Sequence, residues 1–117
     1  MLWATDRIPA DNLDPADGAG KVAGTVLPGG AVLRIVRYAA GAAGRMHGTE
    51  SLDLAVVMSG SIVLELEGGA EVALGQGDVL VQRGTAHKWV NRGTEPCAIA
   101  FVLLGAQPFP GGERETA

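Results

Sequence analysis

The chain carries two histidines, His47 and His87, and each lies in a glycine-punctuated stretch of β-forming residues. His47 belongs to GAAGRMHGTESLDLAVVMSG, residues 41–60, with Thr49, Glu50 and Asp53 just behind it. His87 belongs to GDVLVQRGTAHKWVN, residues 77–91. An imidazole exchanges a proton near neutral pH and also ligates transition metals. A carboxylate beside it orients the ring or completes a ligand set. Two readings follow if His47, His87 and Asp53 meet. One is a metal-free acid–base centre. The other is a facial triad for a divalent transition metal, Fe, Mn, Zn or Ni. The bland alternative is two buried histidines bonded to backbone.

The elements that would bring them together are short and β-like. Runs at 22–27, 31–38, 53–58, 62–67, 71–74, 79–82, 87–91 and 97–104 are separated by turn signals, among them Gly68-Gly69 and Gly75-Gln76-Gly77-Asp78. No convincing helix is present, which is the pattern of an all-β sandwich or barrel. Residues 1–20 read as an irregular arm with a short strand near Leu2-Trp3, residues 21–105 as the barrel, and 106–117 as a frayed tail. Alternation in AVLRIVRY puts Leu33, Ile35 and Arg37 on one face and Val32, Arg34, Val36 and Tyr38 on the other. It does not say which face turns inward. Arg37 is taken here as the candidate pocket cation.

Composition bounds the function. A chain of 117 residues is one domain, and a 47% hydrophobic content supports a real core. A net charge of -4, with no basic cluster, speaks against nucleic acid. No apolar run approaches the ~20 residues of a membrane span, and no signal peptide is read at the N-terminus. The single cysteine, Cys97, excludes an internal disulfide, reads as a buried inert thiol, and fits a cytoplasmic protein.

The two histidine stretches resemble the cupin family. The first cupin motif reads Gly, five residues, His, one residue, His, three or four residues, Glu, six residues, Gly. Gly41, His47 and Gly60 stand at those spacings, with Thr49 in place of the second histidine and Asp53 in place of the glutamate. The second motif begins at Gly77-Asp78, has Arg83 in place of the proline, and regains its spacing over Gly84, His87 and Asn91. HGTESLDLAVVMSGSIVLEL and the segment from Gly77 further resemble a subgroup of small type-2 cupins. In that subgroup an arginine and a tyrosine replace Gly48 and Leu54.

The resemblance implies a double-stranded β-helix, the jelly-roll cupin barrel, with a small-molecule pocket inside it. The candidate catalytic or metal-ligating residues are His47, His87 and Asp53. The candidate pocket walls are Thr49, Glu50, Trp89, Arg37, Ala55, Val57 and Phe101. Lyase- or isomerase-type chemistry is the first expectation: dehydration, decarboxylation or proton transfer next to a carbonyl. A non-catalytic small-ligand-binding barrel and a metal-dependent dioxygenase are the alternatives. The resemblance also implies a homodimer, which the apolar Leu2, Trp3 and Ile8 suit. Met46 and Met58 read as core filler, Asp78 as a turn cap, and Asn91 as the residue holding the turn at Arg92-Gly93.

Overall fold

A computed structural model describes residues 2–13, 17–20 and 28–107 of the chain. The expected strand at 22–27 and the expected tail from 108 onward lie outside the described residues. Within them the protein is all-β. Eight strands run as β1 Trp3–Thr5, β2 Ala31–Tyr38, β3 Ser51–Ser59, β4 Ser61–Leu66, β5 Glu71–Gly75, β6 Val79–Gln82, β7 His87–Val90 and β8 Cys97–Gly105. One 3-10 turn, Gly18–Gly20, packs Gly18 under the Trp3 indole. No helix of the described residues is long and apolar enough to cross a membrane.

The strands form a five-stranded sheet in the order β1-β2-β8-β3-β6 and a three-stranded sheet in the order β5-β4-β7. Every pairing is antiparallel. The segment before β3 extends the smaller sheet, because Ala43 bridges Val90 and His47 bridges His87. This is the jelly-roll arrangement in which strands that neighbour in sequence are dealt to two facing sheets.

Period-2 alternation decides what lies between the sheets. β3 buries Ser51, Asp53, Ala55 and Val57 and turns Leu54, Val56 and Met58 outward. β8 buries Cys97, Ile99, Phe101 and Leu103. β4 answers from the other sheet with Ile62 and Leu64. Cys97 is fully buried, which pushes its thiol pKa up. Met46 and Met58 correct the sequence reading: they are 42% and 48% exposed. Met58 falls on the outward parity of β3, and Met46 sits one residue out of phase with His47.

Two turns fix the register. Ser59-Gly60 links β3 to β4 across the sheets, and Gly60 has φ +80°. A Cβ on Gly60 would sit 2.5 Å from the Pro96 carbonyl oxygen, so both the dihedral and the space require glycine. Asn91, 1% exposed, donates from Nδ2 to the Tyr38 and Glu95 carbonyls and accepts from Gly93 N–H. It holds the turn after β7 and pins it to the end of β2. Asp78 caps its turn by accepting from Gly75 N–H at 2.7 Å.

The two outer faces differ in chemistry. On the smaller sheet Arg92 pairs with Glu65 and Glu71, and Lys88 pairs with Glu65. On the larger sheet the register sets Leu33, Val102, Leu54 and Val81 in one row, and Ile35, Ala100, Val56 and Val79 in the next. Every side chain in both rows is apolar.

Candidate functional site

The two histidines are carried on one residue pair. His47 N–H donates to the His87 carbonyl, and His87 N–H donates to the His47 carbonyl, both at 3.0 Å. Residues directly opposite in an antiparallel ladder project to the same face. The rings therefore stand side by side, with centroids 5.1 Å apart and planes at 43°. Each Nδ1 lies 2.8 Å from a carbonyl oxygen two residues earlier, Arg45 for His47 and Thr85 for His87. A carbonyl only accepts, so in the neutral ring each Nδ1 carries the proton and each Nε2 a lone pair.

Both rings line a cavity of about 180 Å³ between the sheets. Asp53 and Thr49 share its wall with them. Trp89, Phe101 and Tyr38 supply the aromatic surface: Trp89 meets Phe101 edge-on at 5.7 Å and lies 6.4 Å from Tyr38 with the planes tilted by 34°. Val36, Leu103 and Arg34 complete the lining.

Asp53 ends a short polar ladder along one strand face. Ser51 Oγ lies 2.6 Å from Asp53 Oδ1 and 3.1 Å from Thr49 Oγ1. A hydroxyl has one proton to give, so against an ionised Asp53 it goes to the carboxylate, and Thr49 supplies the second bond. Burial raises the Asp53 pKa; the Ser51 hydrogen bond, His87 and His47 oppose that rise. Burial lowers the His87 pKa, against the opposing pull of Thr85 and Asp53. Burial, with Cys97 and Asp53 adding to it, pushes Tyr38 up to about 12. At neutral pH the cavity thus presents a neutral His87 and a protonated Tyr38.

The expected wall residues divide by strand parity and by position along β3. His47, His87, Asp53, Thr49, Trp89 and Phe101 line the cavity. Ala55 and Val57 are in the core on the same inner face and do not reach it. Glu50 is not in the lining, because Thr49 takes the inward position and Glu50 the next one out. Arg37 is exposed on the outer face of β2, and Arg34 takes the inner one. The pairing of β2 with β8 decides this, since Arg34 is opposite the inward Phe101 and Arg37 opposite Ala98. Val36 and Tyr38 follow Arg34 inward; their signal was the same alternation, read on the other parity.

The donor set does not complete a metal triad. Among the described residues no group of three or more His, Cys, Asp or Glu side chains is placed to hold a metal ion. Two Nε2 lone pairs are present, but the motif position of another histidine holds Thr49. The Asp53 carboxylate is one methylene shorter than glutamate and is engaged by Ser51. The expected His47, His87 and Asp53 ligand set is therefore not assembled as three ligands.

A double-stranded β-helix with a histidine-lined cavity between its sheets defines a class of jelly-roll barrels. Residues 34–103 match the Cupin domain family, and the chain belongs to it. A Cupin 2 conserved barrel domain protein from Salinispora arenicola superposes with a TM-score of 0.59 at 25% identity, covering 65% of this chain and 64% of that one. A sugar phosphate isomerase of the cupin superfamily from Silicibacter pomeroyi gives 0.54 at 26%, covering 68% and 52%. Among curated proteins, Phomopsin biosynthesis cluster protein D of Diaporthe leptostromiformis is 50% identical over 116 residues, 93% of this chain and 61% of that protein. The cupin-domain-containing oxidoreductase fogC of Aspergillus ruber is 34% identical over 110 residues, 89% of this chain and 54% of that protein. The chain thus spans between half and two thirds of the length of these two curated relatives.

Proposed function

We propose that this chain is a small-molecule enzyme that moves a proton at a carbon next to a carbonyl, an isomerase- or lyase-type reaction without a resident metal. The observation that carries the reading is the reciprocal His47–His87 pair, which leaves two Nε2 lone pairs at the wall of one cavity. His87, held neutral by burial, is the base. The Thr85 carbonyl at its Nδ1 keeps the tautomer and favours the imidazolium that forms. Tyr38, held protonated, donates to the developing enolate oxygen. Asp53 supplies negative charge near the imidazolium. The isomerase among the solved relatives supports this reading.

The test is deuterium exchange followed by proton NMR, with small ketones and 2-oxo acids, phenylpyruvate among them, in D2O. Exchange above the buffer rate, lost in His87→Gln and reduced in His47→Gln, is expected. No exchange dependent on either histidine would overturn it. The oxidoreductase names of several curated relatives favour a second reading, oxidation of a small molecule in the same cavity. Metal analysis and metal titration of the purified protein separate the two.

We further propose that the chain pairs with a second copy through the outer face of the five-stranded sheet. Five strands about 4.8 Å apart make a face roughly 20 Å wide. That is the scale on which a stable pair buries its roughly 800 Å² per partner. A two-fold axis sets a patch against itself, and the two apolar rows need no complementary charge to match.

A further inference from the structure

We propose that Arg34 is the anion anchor of the cavity and that the ligand is a small aromatic carboxylate. This rests on the proton-transfer reading for the reacting end of the ligand, but not for the anchor itself. Arg34 is the cation in the lining, and its register opposite Phe101 turns it inward.

Sheet geometry sets the distance. Asp53 lies opposite Leu103, and Arg34 lies opposite Phe101, so the two are two strands apart and one inward step apart along the chain. That puts their Cα atoms about 12 Å from each other across the sheet. The arginine stem rises from the sheet toward the cavity, and the separation across Phe101 leaves room of ring size beside it. A carboxylate held at the guanidinium then leaves its substituent over Phe101, toward the imidazoles and Asp53. A planar fork and a carboxylate form paired charge-assisted hydrogen bonds, which fix direction as well as position.

Size and lining agree with one ring. An apolar cavity of about 150 Å³ takes benzene. The cavity here is about 180 Å³, which adds room for one small substituent. Trp89, Phe101 and Tyr38 offer edges and faces for the ring.

Isothermal titration with benzoate and with its neutral analogue benzamide tests the anchor. Wild-type protein should bind benzoate at least tenfold more tightly than benzamide. Arg34→Gln should erase that preference while keeping benzamide binding. Arg37→Gln, on the outer face, should retain it. If Arg34→Gln does not fold, Arg34→Lys is read instead, with a reduced preference expected. No preference in the wild type, or a full preference in Arg34→Gln or Arg34→Lys, overturns the anchor. His87→Gln should keep the benzoate preference and lose proton exchange. In the wild type, exchange without a benzoate preference would sink the anchor alone, and a benzoate preference without exchange would sink the proton-transfer reading alone.

Discussion

His47 and His87 exchange two backbone hydrogen bonds of 3.0 Å, and this places their side chains on one face. Each Nδ1 then meets the carbonyl two residues earlier, which sets the ring's tautomer rather than its face. The position is a property of the ladder, so the pair survives substitution of either ring, and single-ring variants isolate chemistry from geometry.

Acidification should reveal the buried ring. The His87 pKa is below its ordinary 6.5 because burial disfavours the charged form. The unfolded chain therefore binds more protons between the folded value and 6.5. That contribution to stability is present in full above 6.5 and is lost as pH falls through the folded pKa. Asp53 acts with the opposite sign: its raised pKa gives a contribution present below 3.8 and lost as pH rises through the folded value. Urea titrations at stepped pH should show a loss below 6.5 in the wild type that is absent in His87→Gln. An unchanged slope in the variant would remove His87 as its source.

Ser51→Ala should weaken the fold and shift Asp53. A buried hydrogen bond to a charged group contributes about 1.5–3 kcal/mol, and about 2 kcal/mol of stability should be lost. The Ser51 hydroxyl also holds the Asp53 pKa down, so the variant's carboxyl should titrate higher still. Carbon-detected NMR of the Asp53 carboxyl reads this directly, and a downward movement would contradict it.

Gly60→Ala and Gly68→Ala should separate dihedral strain from crowding. Both glycines have positive φ, +80° and +90°. Nothing lies within 4 Å of a Cβ on Gly68, so its variant should lose only the roughly 1–2 kcal/mol of the left-handed conformation. On Gly60 the added methyl meets the Pro96 oxygen at 2.5 Å, and the loss should be larger. Equal melting shifts would show that the β3–β4 turn relaxes freely.

Val56→Asp places a charge in the middle of the apolar outer face, at a position already 41% exposed. Sedimentation should give twice the 11.9 kDa chain mass for the wild type and a folded 11.9 kDa species for the variant. A wild-type monomer at micromolar concentration would end the proposed pairing.

Much of the strand map was legible because β-runs and turns are local. The 31–38 and 79–82 strands fall where alternation and glycines put them. Trp89, expected as a pocket wall, lines the cavity and is at the same time part of the buried core. Met58 was misread because hydrophobicity alone suggested burial, whereas its parity on β3 sends it outward. The isolated bridges of Ala43 and His47 to β7 were not legible, since their partner is distant in sequence.

By itself the sequence determined the class of fold and which residue types were available for chemistry: two imidazoles, one short carboxylate, and a threonine where a ligand would stand. Only the tertiary structure decided that Arg34 faces the cavity and Arg37 the outside, and that Asp53 is engaged by Ser51. The physical reason is that alternation is symmetric within one strand. The two faces become different only when a neighbouring strand, here β8 with Phe101 and Leu103 inward, fixes which of them meets the opposite sheet.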